Sequence, residues 1–324
     1  LEVLGSGQLS GFVAQPGEAF LGGPKVRQLE KLFQDYFGSK FAVAVNSATA
    51  GLHAAVAALG IRAGDEVIVP PYTMSASATV ILMQNATPVF ADIDPISFCI
   101  DPNDIEKKIT PKTKAIIVVH LFGLPAEMDA IMKIAKKHHI AVIEDCAQSP
   151  GAVYKGRKAG TIGDVGVFSF NQHKIITTGE GGVAVTDDPD LALRLQLVRN
   201  HGEVVTGKMD KVHDDLLGWN YRMTELEAAV GIGQFRRLDQ LTEERIRLAD
   251  FLTEKLSKLK GLTPPSRPVS SKHVYFTYPI KFDEKAIGID RATFIKALNA
   301  EGIPCGGGYV RPIYYEPVFR KICP

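Results

Sequence analysis

Apolar and polar positions follow two different periods along the first two thirds of the chain. Short apolar, β-branched runs are FAVAVNS from Phe41, EVIVPP from Glu66, TPVFADI from Thr87, KAIIVVHL from Lys114, AVIEDCA from Ala141, DVGVFSF from Asp164 and GGVAVTD from Gly181. Between them lie stretches with helical periodicity, including TAGLHAAVAALG, PAEMDAIMKIAKKHH and PDLALRLQLVRNH. Several runs are apolar at nearly every position, the pattern of strands covered on both faces, so an α/β fold with a mostly parallel, seven-stranded sheet between helices is expected.

Near Trp219 the pattern changes. Thr224 followed by Glu227 forms a capping box, and TELEAAVGIGQFRRLDQLTEERIRLADFLTEKLSKL then reads as a long helix bent in the middle. LTPPSRPVSSKH is a linker, VYFTYPIKF reads as a strand and DRATFIKALNAEG as a capped helix. The expected division is a large α/β domain over residues 1–240, with an N-terminal arm over 1–23, and a smaller C-terminal α+β domain over 241–324.

Composition narrows the class of function. With 37 basic and 36 acidic side chains among 324 residues the formal charge is +1, which provides no footprint for nucleic acid or an anionic membrane. Cys99, Cys146, Cys305 and Cys323 form no CxxC pair, which points away from a zinc site or a disulfide framework and toward reduced thiols. No apolar run is long enough for a helical span, and LEVLGSGQLSG lacks the basic start and apolar core of a signal peptide, so a cytoplasmic location is expected. The chain begins without Met and stops at Pro324 with no terminating pattern, as a trimmed piece of a longer one would.

In an open parallel sheet ligands sit at the carboxyl ends of the strands. Asn46, Ser47 and Thr49, Tyr72 and Thr73, His120, Asp145 and Gln148, and Ser169 with Lys174 all fall at such ends. Ser47 and Thr49 open a helix, where free N–H groups favour a phosphate, although simple N-capping by Ser47 accounts for the same residues. Glu144 and Asp145 end an apolar strand; a buried carboxylate needs a partner, either a cationic ring nitrogen or a structural ion pair. Lys174 lies between two core strands, where desolvation would free its amine for Schiff-base chemistry; a solvated loop lysine is the plainer alternative. A phosphate pocket, a carboxylate for a pyridinium nitrogen and a lysine for an aldehyde are the three anchors of pyridoxal phosphate.

EDCAQSPGAVYKGRKAGTIGDVGVFSFNQHKIITTGEGGVAVTDD resembles the DegT/DnrJ/EryC1/StrS sugar aminotransferases, as do VNSATAGLHAAV, GDEVIVPPYTMSASA and GWNYRMTELEAAVGIGQ, in the family's order over nearly the whole chain. The resemblance implies the pyridoxal phosphate-dependent aminotransferase fold of type I and a homodimer with shared active sites. It makes Lys174 the Schiff-base lysine and proton shuttle, Asp145 the partner of the pyridine nitrogen and Gln148 that of the ring hydroxyl. Ser47 with the Ala48 and Thr49 backbone, and Ser169, would hold the phosphate; Asn220 would reach the neighbouring subunit's cofactor, with Arg222 close by. Met74 stands where many relatives carry an aromatic residue over the ring. Tyr72, Arg222, Tyr309, Arg311 and Tyr314 are the candidates for substrate contact.

The activity implied is ping-pong transamination. L-Glutamate or L-glutamine would leave its nitrogen as pyridoxamine phosphate, which then aminates a nucleotide-linked ketosugar or a keto-cyclitol such as scyllo-inosose. Related pyridoxamine-dependent dehydratases carry histidine in place of the lysine, so Lys174 argues against them. A non-catalytic cofactor-binding regulator and a synthase that makes an aminohydroxybenzoate are the other readings. GSGQLSG follows no strand and reads as an entry loop and not a dinucleotide site. GEGG supplies tight turns, KVHDDL and the KKHH of a helix end read as solvated faces, His173 as a solvent-facing neighbour of Lys174, and Asn85 as a chance glycosylation sequon.

Overall fold

The computed structural model describes residues 1–206 and 216–322. Cys323 and the KVHDDL segment, apart from Leu216, lie outside the described residues. The seven expected strands all form: β1 (Phe41–Val45), β2 (Glu66–Val69), β3 (Thr87–Phe90), β4 (Thr113–Val119), β5 (Ala141–Asp145), β6 (Val165–Ser169) and β7 (Gly182–Thr186). They make one sheet in the order β1-β7-β6-β5-β4-β2-β3. Only β7 runs against its neighbours, β1 and β6, so the carboxyl ends of the other six strands share one edge.

Alternation along each strand feeds two apolar layers. Val43, Val67, Val69, Ala115, Ile117 and Ile143 point to the face covered by α2 (Ala48–Ala58), α3 (Ala76–Met83) and α6 (Pro189–Arg199). On the opposite face Ala42, Ala44, Val183 and Val185 meet α1 (Pro24–Phe37) and α7 (Glu225–Phe235), while Ile116, Val118 and Val142 meet α4 (Pro102–Lys108) and α5 (Met128–His138). At the end of α5, Lys137 pairs with Glu106 in exposed surroundings and His138 lies 3.9 Å from the same carboxylate.

The expected bent helix is two helices. α7 begins with the capping box, in which Glu227 N–H donates to Thr224 Oγ1 and Thr224 N–H to Glu227 Oε2. It ends at Phe235, and after Arg236 and Arg237 the chain resumes as α8 (Leu238–Leu256). α9 (Arg291–Ala300) is capped by Asp290. VYFTYPIKF departs from expectation: only Lys281–Phe282 is a strand, paired with Leu262–Thr263. Its earlier residues are irregular because Val274 N–H donates to Gly123 O, so the buried Val274 packs on the loop after β4 and not on a neighbouring strand.

The first residues are tied to the body. Gly5 and Ser6 of GSGQLSG end a short helix (Glu2–Ser6), and only residues 7–11 form a loop, largely exposed. Its Leu9 carbonyl accepts the N–H of Glu225, and the Glu225 carboxylate accepts the N–H groups of Lys25 and Val26 at the start of α1. Asn200 Nδ2 lies 3.2 Å from Val13 O and 3.3 Å from Phe20 O. The fully buried Arg199 pairs with Glu30 at 2.7 Å and donates to the carbonyls of Ala44 and Leu21.

Candidate active site

β5 ends in two carboxylates that strand alternation sends to opposite faces. Glu144 is fully buried; burial alone would raise its pKa, but hydrogen bonds from His120 and backbone N–H groups outweigh it and hold the carboxyl below its ordinary value. The donors are His120 Nε2 at 2.8 Å and the N–H groups of Gly160, Ile162 and Gly163 at 2.8, 2.6 and 2.6 Å. His120 Nδ1 accepts Ala126 N–H at 3.1 Å, which places the ring proton on Nε2. Glu144 is thus the structural member of the pair, and its oxygens, although grouped with His120 and Cys146, are already engaged.

Asp145, also buried, lies near enough to Lys174 and Tyr309 for its charge to act on both. Its oxygens accept Ser77 Oγ at 2.8 Å and Ala147 N–H at 3.1 Å, and Ser77 Oγ lies 3.1 Å from Thr73 Oγ1. Three residues on, the buried Gln148 accepts Phe122 N–H at 2.7 Å through Oε1 and donates from Nε2 to Tyr309 Oη at 2.9 Å. Burial first, and the neighbouring Asp145 second, push the Tyr309 phenol up to about 12. Tyr309 N–H donates to Tyr72 Oη at 3.3 Å, and these two rings form one cluster with Phe98 and Phe122.

The turn between β6 and β7 presents Lys174. Phe170 N–H donates to Gly181 O, Thr178 N–H to Phe170 O and Lys174 N–H to Asn171 O, which closes a compact loop around the GEGG glycines. His173 is exposed and Lys174 half-buried. The Lys174 amine lies 4.7 Å from the centroid of the Phe276 ring and, among the described residues, has no hydrogen bond or ion pair. Burial drives its pKa below that of an ordinary lysine, with the charge of Asp145 opposing the shift in part.

Ser47 caps α2 by accepting Ala50 N–H at 3.1 Å, which leaves Ala48 and Thr49 N–H without an intrahelical acceptor, while the Thr49 side chain is exposed. β7 passes directly beneath this turn: a Cβ on Gly182 would lie 2.8 Å from the Ala48 nitrogen. Ser169, opposite Gly182 in the sheet, is buried at the end of β6. Asn220 is exposed, and its carbonyl accepts Asn46 Nδ2, so it flanks the same helix start. The structure gives Arg222 a partner in Asn200, whose Oδ1 accepts its guanidinium at 3.0 Å.

The remaining expected contacts separate. Met74, 57% exposed, and Arg311 line an open cavity of about 430 Å³ with Glu316 and Phe319, while Tyr314 packs on Phe90 and Tyr315. Tyr72, Phe98, Phe122 and Tyr309 form one wall of a larger cavity of about 760 Å³ that also receives Lys281 and Arg291. Sequence reasoning missed Ser77, the Phe122 N–H and Phe276. Ser77 carried one usable signal, its place four residues after Thr73 at the start of α3, whereas Phe276 sits about a hundred residues beyond the lysine it faces.

Residues 13–324 match the DegT/DnrJ/EryC1/StrS aminotransferase family. The chain belongs to that family. It is 41% identical over 292 residues to the GDP-perosamine synthase of Caulobacter vibrioides, covering 89% of this chain and 76% of the relative. It is 40% identical over 283 residues to the L-glutamine:scyllo-inosose aminotransferase of Streptomyces griseus, covering 85% of this chain and 67% of the relative. The solved structure of an aminotransferase from Psychrobacter cryohalolentis superposes with a TM-score of 0.90 at 36% identity, covering 100% of this chain and 85% of the other. The fold is that of the pyridoxal phosphate-dependent aminotransferases, and the protein is an aminotransferase. Among the described residues no helix is long and apolar enough to cross a membrane.

Proposed function

We propose that this protein binds pyridoxal phosphate and transfers an amino group from L-glutamate or L-glutamine to the keto group of a nucleotide-linked ketosugar, acting as a cytoplasmic homodimer. The observation that carries the reading is the half-buried amine of Lys174, which among the described residues has no hydrogen bond or ion pair and lies near enough to Asp145 to feel its charge. The donor set fits the cofactor. A fixed carboxylate at Asp145 suits a ring nitrogen held protonated, and the free amide hydrogen of Gln148 suits a ring oxygen. The Ser47 and Ser169 hydroxyls with the unpaired Ala48 and Thr49 N–H groups suit a phosphate at a helix start. Asn220, exposed beside that start, is free to serve a second subunit.

Bound there, the cofactor would supply an electrophilic aldehyde and an electron sink. Lys174 takes and returns the substrate proton, and burial, by lowering its pKa below that of an ordinary lysine, favours the neutral amine this requires. Asp145, aligned by Ser77 and the Ala147 N–H, stabilises positive charge on the ring side. Phe276 shields one side of the Lys174 amine from water.

The keto-cyclitol alternative rests on the Streptomyces griseus relative. A cavity of about 760 Å³ carrying Lys281, Arg291 and a wall of aromatic rings instead favours a larger anionic carrier with a stacking base. The test is absorption spectroscopy of the protein loaded with pyridoxal phosphate, before and after either amino donor, with Lys174→Ala in parallel. A visible band that the donor bleaches in the parent and not in the variant supports the reading. No uptake of the cofactor overturns it. Parallel assays with a nucleotide-linked ketosugar and with scyllo-inosose decide the acceptor.

A further inference from the structure

The side-chain amide of Gln148 has one acceptor and two donor hydrogens, and which end faces the cleft depends on its neighbours. A backbone N–H can only donate, so the 2.7 Å contact from Phe122 fixes Oε1 toward the loop. Nε2 therefore offers one hydrogen to Tyr309 Oη and keeps the second.

The Phe122 peptide is itself clamped. Its residue adopts φ 58°, and its carbonyl accepts His273 Nε2 at 3.1 Å. Gly123 follows at φ 94°, where a Cβ would lie 2.9 Å from the Val274 side chain and 3.0 Å from the nitrogens of Tyr275 and Phe276. Tyr309 is anchored separately, with its N–H on Tyr72 Oη and its ring 5.5 Å from that of Phe122.

We propose that Tyr309 is a positioning residue: with the Phe122 N–H it holds the Gln148 amide as a hydrogen-bond donor toward the cleft, so that the ring oxygen of the bound cofactor is recognised as an anion. The inference rests on the pyridoxal phosphate reading above. It changes the expected role of Tyr309, which acts on the cofactor through Gln148 and not through the substrate.

The test is Tyr309→Phe, which keeps the ring and removes the oxygen that accepts from Gln148. The primary readout is the pH midpoint of the bound cofactor's visible band, which reports the proton shared between the Lys174 nitrogen and the ring oxygen. Donation to the ring oxygen favours the deprotonated form, so its weakening is expected to move the midpoint upward by about 0.5–1 pH unit. Affinity for pyridoxal phosphate should fall several-fold, while the melting temperature of the cofactor-free protein changes little. In a Gln148→Ala background the same substitution should move the midpoint no further.

An unchanged midpoint in Tyr309→Phe, with the cofactor bound, overturns the inference and leaves the cofactor reading standing. An equal shift with and without Gln148 also overturns it, since Tyr309 would then act directly. If the parent protein takes up no cofactor, the underlying reading is what fails.

Discussion

A lysine amine removed from water is stable only if it is paired or free to lose its proton. Among the described residues Lys174 has no hydrogen bond or ion pair, only the Phe276 ring at 4.7 Å, and burial lowers its pKa from 10.5. Between the lowered value and 10.5 the unfolded chain binds more protons than the folded one, so stability rises with pH across that window and the penalty is fully present below it. Lys174→Met is expected to raise the melting temperature of the cofactor-free protein by about 2 °C at pH 7. The gain should shrink as the pH approaches that of an ordinary lysine, and calorimetric melts at both pH values check the pair of statements. In the sequence Lys174 stands out as a candidate because a lysine between two core strands breaks the local pattern, as does Asp145 at the end of an apolar run. Ser77 does not, since a hydroxyl in a helix's first turn reads equally well as a capping group. Nothing local marks Phe276, whose relation to Lys174 exists only in the folded chain.

Elements inherit their placement from a few such polar contacts, and the clearest case joins β4, β5 and the loop before β6. Four donors converge on Glu144: the His120 ring and three backbone N–H groups. Glu144→Gln would turn an amide NH2 toward some of those donors and leave buried N–H groups unpaired, at a cost of roughly 3 kcal/mol. Urea denaturation of the variant should show a lower midpoint, and an unchanged midpoint would remove Glu144 as a clamp. At this scale the sequence was most informative where packing is two-sided: all seven strands were readable from continuous apolar runs. VYFTYPIKF misled because its alternation is the same whether apolar residues pack on a neighbouring strand or, as Val274 does, on the loop at Gly123. The break between α7 and α8 was visible as a bend, yet its place at Arg236 and Arg237 was not.

Across the whole molecule, stability depends on buried ionisable groups that the chemistry leaves unused. Arg199 and Glu30 join α6, α1, β1 and the N-terminal arm; burial raises the Glu30 pKa and lowers that of Arg199, and their mutual attraction opposes both shifts. Arg199→Met strands the carboxylate and is expected to cost about 3–5 kcal/mol in urea unfolding, with the Glu30→Met, Arg199→Met double variant recovering much of the loss. Two buried imidazoles contribute to the response to acid. His53 accepts from Gln84 at Nε2 and donates from Nδ1 to Tyr221, and His273 donates to Phe122 O. Burial lowers both from 6.5 to about 4. Folded protein keeps them neutral while the unfolded chain protonates, so the stability they contribute is fully present above pH 6.5 and is lost progressively as the pH falls toward 4. Each contributes a slope of up to about 1.4 kcal/mol per pH unit within that window. His53→Gln and His273→Gln should each flatten the acid side of a stability-against-pH curve. The two differ in a second observable: only His273 reaches Gln148 through Phe122, so only its substitution should also shift the visible band of the bound cofactor.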